Sequence, residues 1–179
     1  MPLRSIGPLV HELAPVVKDR IERTVYGDLI RPERLPKPAC EVWLICGPPA
    51  SGKSTWVRVH AKPDDIIIDV DAIARETFGM TRERDAAATG ALLLARNEML
   101  AALANEPPER VAWVIMGGAT DELRGWWCHA LNVRGDHLIV MNPGRDELYR
   151  RIDCDPDRRA VRHLHKRLVD EWFAKEGGG

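Results

Sequence analysis

An α/β fold, with a mainly parallel sheet covered by helices on both faces, follows from three features of the 179-residue sequence. Short apolar runs rich in Val and Ile alternate with segments of helical periodicity. A glycine-rich turn joins the first such run directly to a helical segment. Proline pairs, a Gly-Gly step and an Asn-Pro-Gly step close the periodic segments where turns are chemically favoured. Strand–helix alternation of this kind builds βαβ units, whose right-handed crossovers bring all strand C-termini to one edge of the sheet. In open sheets of this class ligands bind along that edge.

The elements follow in chain order. Leu9, Leu13, Val16, Val17, Ile21 and Val25 fall at helical spacing over residues 9–26, with Pro15 as a kink or boundary. Pro32, Pro36 and Pro38 make residues 31–39 an extended linker. Residues 1–38 are therefore expected to be an N-terminal helix and linker, and 39–176 the main domain. Glu41–Cys46 (EVWLIC) reads as a buried strand, followed by a helix from about Lys53 to His60. Asp65–Val70 (DIIIDV) is a second buried strand and Ala72–Phe78 a short helix. A long Ala/Leu-rich helix is expected over 83–104, stopped by Pro107-Pro108. Arg110–Met116 is a third strand, broken by Gly117-Gly118, and Asp121–Leu131 is helical. His137–Met141 is a fourth strand, ended by Asn142-Pro143-Gly144. Helices at about 145–152 and 158–175 flank a polar turn, Asp153–Asp157.

Composition narrows the functional classes. Hydrophobic residues make up 45% and charged residues 30%, as in ordinary globular domains. A formal net charge of −1 gives no whole-molecule pull toward nucleic acid or an anionic membrane, but leaves room for a local basic groove. Cys40, Cys46, Cys128 and Cys154 form no CxxC pair and suggest neither a zinc site nor a disulfide framework. No apolar run has the length of a signal peptide or the ~20 residues of a membrane span. The expectation is a cytoplasmic protein with no membrane partner, a monomer or small homo-oligomer.

Between the first strand and its helix stands Gly47-Pro48-Pro49-Ala50-Ser51-Gly52-Lys53-Ser54-Thr55, which matches GxxxxGK[ST] without a mismatch. Gly47 and Gly52 permit backbone angles that side chains forbid, so the loop can turn its N–H groups inward as an anion nest. The helix that follows aims its positive end at the same anion. Lys53 supplies a mobile charge for β and γ phosphates, and the Ser54 hydroxyl a ligand for Mg²⁺. A nucleoside triphosphate, ATP with Mg²⁺, is the expected ligand.

The second strand ends in Ile68-Asp69-Val70-Asp71. Two residues apart on a strand, Asp69 and Asp71 are expected to share a face. One carboxylate would take a proton from an attacking hydroxyl, and the other would hold Mg²⁺ or its water. Alternatively, Asp71 only caps a helix starting at Ala72.

GPPASGKST followed by IIIDVDAIAR resembles the P-loop kinases related to polynucleotide kinase and zeta-toxin kinases. The resemblance covers roughly residues 41–175. It implies the P-loop NTPase fold, a three-layer α/β/α sandwich with a helical lid, and an ATP-dependent phosphotransferase. It also implies that Asp71 is the acceptor's general base, with Arg75 as the arginine of the next turn. Two departures stand out: Arg75 lies four residues after Asp71, and the third strand ends in Gly117-Gly118 where a Walker B acid is standard. Magnesium would then rest on Ser54 with Asp69 or Asp71.

The segment from Arg145 to Arg167 is rich in arginine, and its helix–turn–helix pattern resembles the lid of small P-loop kinases. Arg150, Arg151, Arg158 and Arg159 flank the turn and are candidates to neutralise triphosphate charge. A solvated face with i,i+4 ion pairs is the plainer alternative. Asn142 stands where related kinases contact adenine. Trp43 and Trp113 are expected in the sheet; Trp126 and Trp127 point about 100° apart on a helix, so one can reach the surface to stack a base, with packing the expected role. The acceptor is left open among a nucleotide, a polynucleotide end, a modified DNA base and a small metabolite. An ATPase accessory to DNA processing or packaging, or a nucleotide sensor without turnover, are the alternatives.

Overall fold

The computed structural model describes residues 29–176 of the chain, so the helix expected over 9–26 lies outside the described residues. Strands β1 (Glu41–Cys46), β2 (Ile66–Asp69), β3 (Val111–Met116) and β4 (Leu138–Val140) form one parallel sheet in the order β2-β3-β1-β4. Around it stand α1 (Lys53–His60), α2 (Val70–Phe78), α3 (Ala86–Ala102), α4 (Asp121–Ala130), α5 (Arg145–Cys154) and α6 (Arg162–Glu176).

Side-chain alternation along β1 explains the layers. Val42, Leu44 and Cys46 enter one core with Ile73 of α2, Leu92 and Leu100 of α3 and Trp127 of α4. Ile45 turns the other way, to Val57 of α1, Trp113 and Ile115. Both faces of the sheet are thus covered by helices, as expected for a three-layer α/β/α sandwich. A third cluster, Leu148, Ile152 and Val169, fastens α5 to α6 and packs against Ala50 of the glycine-rich loop. Trp43 and Trp113 stack at 5.3 Å on the α1 face. Trp127 is buried, and Trp126 packs edge-on against it at 4.7 Å.

Several boundaries move, each for a local reason. β2 stops at Asp69, not Val70, because the Asp69 side chain accepts the Asp71 N–H and caps a helix that begins at Val70. α3 begins at Ala86 because Asp85 caps it through the Ala88 N–H at 2.7 Å. A 3₁₀ turn, Gly135–His137, takes the start of the expected fourth strand. α5 runs on to Cys154, and a 3₁₀ stretch, Pro156–Val161, leads into α6. Residues 31–40 contain neither helix nor strand. Just before them, the Leu29 carbonyl accepts from Arg96 Nη2 at 2.8 Å and Asn97 Nδ2 at 2.9 Å, which ties the segment to α3. No described helix is long and apolar enough to cross a membrane.

Candidate active site

β1 ends at the sheet edge and α1 starts seven residues later, at Lys53, so the loop between must fold tightly. At Gly47 (φ +154°) a Cβ would meet the Met141 carbonyl oxygen at 2.5 Å, which leaves room for glycine alone. At Gly52 (φ +99°) a Cβ would meet only ordinary contacts at 3.6 Å, and the backbone angle is what demands glycine. The Gly47 N–H donates to the Gly117 carbonyl at 2.9 Å, pinning the loop to the end of β3. Pro48 and Pro49 carry no N–H, so the loop's anion-facing donors must come from Ala50 onward. The amides of Lys53, Ser54 and Thr55 open α1 and have no acceptor inside the helix. Lys53 Nζ donates to the carbonyls of Gly47 (2.7 Å) and Pro48 (2.8 Å) and to Ser51 Oγ (3.3 Å). Burial pushes its pKa down to about 8, against the pull of the neighbouring Asp69 carboxylate.

The two aspartates do different things. Asp69 is buried; its Oδ2 accepts the Ser54 hydroxyl at 2.7 Å and its Oδ1 accepts the Asp71 N–H at 3.0 Å. The capping role considered for Asp71 therefore belongs to Asp69. A hydroxyl and a carboxylate side by side are the hard oxygen donors that suit Mg²⁺, which needs one or two protein ligands beside phosphate and water. Among the described residues no group of three or more His, Cys, Asp or Glu gathers as a metal cage. Asp71 lies in the first turn of α2 rather than on β2, so the two carboxylates do not share a strand face. It accepts instead from Arg82 Nη1 at 2.6 Å and Arg84 Nη2 at 2.5 Å. Burial raises its pKa, but the Arg84 hydrogen bond and the charges of Arg82, Arg84 and Arg158 outweigh that and hold it below the usual carboxylate range. After β3 a Cβ at Gly117 would meet nothing within 4 Å, whereas Gly118 has no room for a side chain. At Gly118 (φ +61°) a Cβ would meet Cys46 Sγ at 2.6 Å.

The arginines divide. Arg151 Nη1 reaches the carbonyls of Ala50 and Ser51, each at 3.3 Å, while its Nε donates to Glu147. Arg158 donates to Asp155 at 2.8 Å and to His165 Nδ1 at 2.9 Å, so that nitrogen of His165 carries no proton. Arg150 is exposed and pairs with Glu147, and Arg159 is exposed on the 3₁₀ stretch; neither lines the cleft. Arg75 does line it, paired with Glu76 and far from buried.

The cleft, about 1460 Å³, runs from the glycine-rich loop past Asp69 and Asp71 to Leu93 of α3 and Leu164, Leu168 and Trp172 of α6. It takes in residues 47–55, Asp69, Asp71, Arg75, Asn142, Arg151 and Arg158 from the sequence reading. Sequence reasoning missed Arg82, Arg84 and His165. Arg82 stands just before the helix expected over 83–104 and Arg84 inside its expected first turn, and their meeting with Asp71 eleven and thirteen residues upstream is a tertiary event.

A family model described as an AAA domain matches residues 42–168, from β1 into α6. No curated protein matches the chain. The matched span holds all four strands but for Glu41, together with the GxxxxGK[ST] loop and both aspartates. The chain belongs to the AAA domain family of P-loop nucleotide-binding proteins.

Proposed function

We propose that the chain is an ATP- and Mg²⁺-dependent phosphotransferase, akin to the polynucleotide-kinase and zeta-toxin kinases, that moves the γ-phosphoryl group to a hydroxyl acceptor. The observation that carries this reading is the extent of the cleft. At about 1460 Å³ it exceeds the ~300–1,000 Å³ of a single-ligand pocket, and its lining takes in Arg82, Arg84, Leu93, Leu164 and Leu168 besides the P-loop. Lys53 and the α1 amides bind the phosphates, and Ser54 with Asp69 would hold Mg²⁺, which would supply charge neutralisation for the triphosphate. Asp71 orients the hydroxyl and accepts its proton. A carboxylate with a lowered pKa is a weak base, but a loose transition state asks for orientation more than for early proton removal. Arg151 and Arg158 neutralise charge on the transferring group. On this reading residues 39–176 form the catalytic domain and 1–38 an appendage to it.

The test is hydrolysis with and without acceptors, using γ-labelled ATP. A kinase turns over slowly in water alone, loses turnover in EDTA, and speeds up with transfer of label when its acceptor is added. Rapid acceptor-independent hydrolysis, stimulated by DNA or a protein partner, would replace this reading with an ATPase.

A further inference from the structure

Nine arginine and lysine side chains line the cleft against four carboxylates, in a chain whose formal net charge is −1. Mg-ATP brings a net charge of about −2, which leaves positive charge uncompensated. Arg75 and Arg151 are paired with Glu76 and Glu147, whereas Arg82, Arg84 and Arg158 gather round Asp71. Arg82 and Arg84 both end on the single carboxylate of Asp71, and Arg158 stands close enough to act on it electrostatically. His165 adds no charge of its own: burial first, then the neighbouring Arg158, hold its pKa down to about 4. Planar guanidinium forks are matched to phosphate oxygens, and one half-exposed carboxylate does not saturate them. The same cleft holds an apolar strip. Leu164 and Leu168 of α6 are 40% and 38% exposed, and Leu93 stands on the α3 side. Trp172 also lines the cleft, with a buried indole N–H that has no acceptor among the described residues.

We infer that the acceptor is a small phosphate ester, whose existing phosphate is held by Arg82 and Arg84 while an apolar or ring-bearing body lies against Leu93, Leu164 and Leu168. This rests on the phosphotransferase reading. The acceptor's free hydroxyl oxygen forms a bond to the γ-phosphorus as the bond from that phosphorus to the β,γ-bridging oxygen breaks. ADP leaves with the electron pair, and the hydroxyl proton passes to Asp71. A small ester fits better than a polynucleotide because the chain as a whole carries a formal net charge of −1, whereas a long polyanion needs a basic track across the surface.

The test uses the full chain saturated with Mg²⁺ and the β,γ-imido analogue of ATP, so that the P-loop is occupied, and titrates phenyl phosphate by calorimetry. Saturable binding is expected, with none for phenol. Arg84→Gln should weaken it ~10- to 100-fold, the scale of one lost charge-assisted contact, and change analogue affinity far less. Asp71→Asn removes the internal anion that competes for both arginines and should tighten phenyl phosphate. If Arg84→Gln loses analogue binding through misfolding, Arg82→Gln and Asp71→Asn carry the same test. Analogue binding without phenyl phosphate binding, or phenyl phosphate affinity equal in all variants, overturns this inference and leaves the kinase reading standing. Failure of the analogue itself to bind overturns both. Displacement of phenyl phosphate by a single-stranded oligonucleotide, with steep salt dependence, overturns the small-molecule assignment.

Discussion

Whereas the phosphate loop is made of nine consecutive residues, Gly47–Thr55, the wall facing it is assembled from distant pieces of chain. Asp71 comes from α2, Arg82 and Arg84 from the stretch before α3, Arg158 from the 3₁₀ turn and His165 from α6. Backbone contacts enforce the loop: a close approach at Gly47, a left-handed Gly52 and the hydrogen bond to Gly117. Side-chain ion pairs hold the facing wall, and its central carboxylate is 43% exposed. Pairs that exposed contribute little to stability and can exchange partners. One wall is thus preformed for a ligand common to the family, and the other is free to re-pair with a specific one. Substitutions should damage the first through geometry and the second through charge.

The largest effect should come from the facing wall. Asp71→Asn keeps size and shape but removes the proton acceptor, and phosphoryl transfer should fall ~10²-fold or more. Because Asp69, not Asp71, caps α2, the melting temperature should shift by no more than the loss of two partly exposed ion pairs, about 1–2 kcal/mol. Measuring kcat and melting temperature together separates the roles. Wild-type transfer by Asp71→Asn would remove Asp71 from the chemistry and turn attention to Asp69.

Lys53→Ala tests the loop in turn. It deletes the ammonium that the loop carbonyls hold in place, and ATP affinity should drop ~10- to 100-fold, or about 1.5–3 kcal/mol. The fold should persist, since Lys53 contributes no core packing. An unchanged Kd by calorimetry would mean that the loop does not hold phosphate through this residue.

This contrast also explains what could be read in the sequence. The helix start at Lys53 was legible because a glycine-rich turn, a strand and a periodic segment lie in one window. The order of elements was legible from apolar runs and breakers. The swap of capping role from Asp71 to Asp69 was not, because both residues cap well and only the backbone angle at Asp69 (φ −131°, ψ 118°) decides. Nor was the pairing of Arg82 and Arg84 with Asp71 legible. Arg84 falls inside a helix expected from residue 83 and Arg82 just before it, where either reads as a solvated side chain until the fold brings α2 against them. The lid arginines show the same limit: helical spacing placed four near the turn, but which of them face the loop depends on how α5 packs on Ala50.

A paired substitution sharpens the geometric side. Gly47→Ala would drive a Cβ into the Met141 carbonyl oxygen at 2.5 Å and Ser51 Oγ at 2.7 Å. Backbone cannot yield as a side chain does, so a loss of about 1–3 kcal/mol is expected, with nucleotide binding impaired. Gly117→Ala meets nothing within 4 Å and has no positive φ, so it should stay within about 0.5 kcal/mol of wild type. Its carbonyl still accepts the Gly47 N–H. Denaturant midpoints decide: equal stability for the two variants would mean that the loop can relax, and that its geometry is not set by backbone contact.

The smallest effect concerns the proton on Lys53. Its pKa in the folded chain is about 8, below the ordinary 10.5, because burial disfavours the ammonium. Folding therefore works against that proton. The cost is fully present below about pH 8 and is relieved as pH rises from about 8 toward 10.5, so this group makes the ligand-free chain more stable across that window. Phosphate binding has the opposite preference, because it needs the ammonium. At pH 9 only about one ligand-free chain in ten would keep the proton, so ATP must bind with proton uptake. Affinity should fall by at most about tenfold between pH 7 and pH 9, or ~1.4 kcal/mol. The two trends run in opposite directions, which general alkaline damage cannot imitate, since damage would lower stability and affinity together. Calorimetry in two buffers of different ionisation enthalpy counts the proton, and melting temperatures over the same range follow stability. Lys53→Met should flatten both trends. Constant affinity with no proton uptake at pH 9 would mean that Lys53 is not the charge the phosphates meet, and the loop would then bind through its amides and helix end alone.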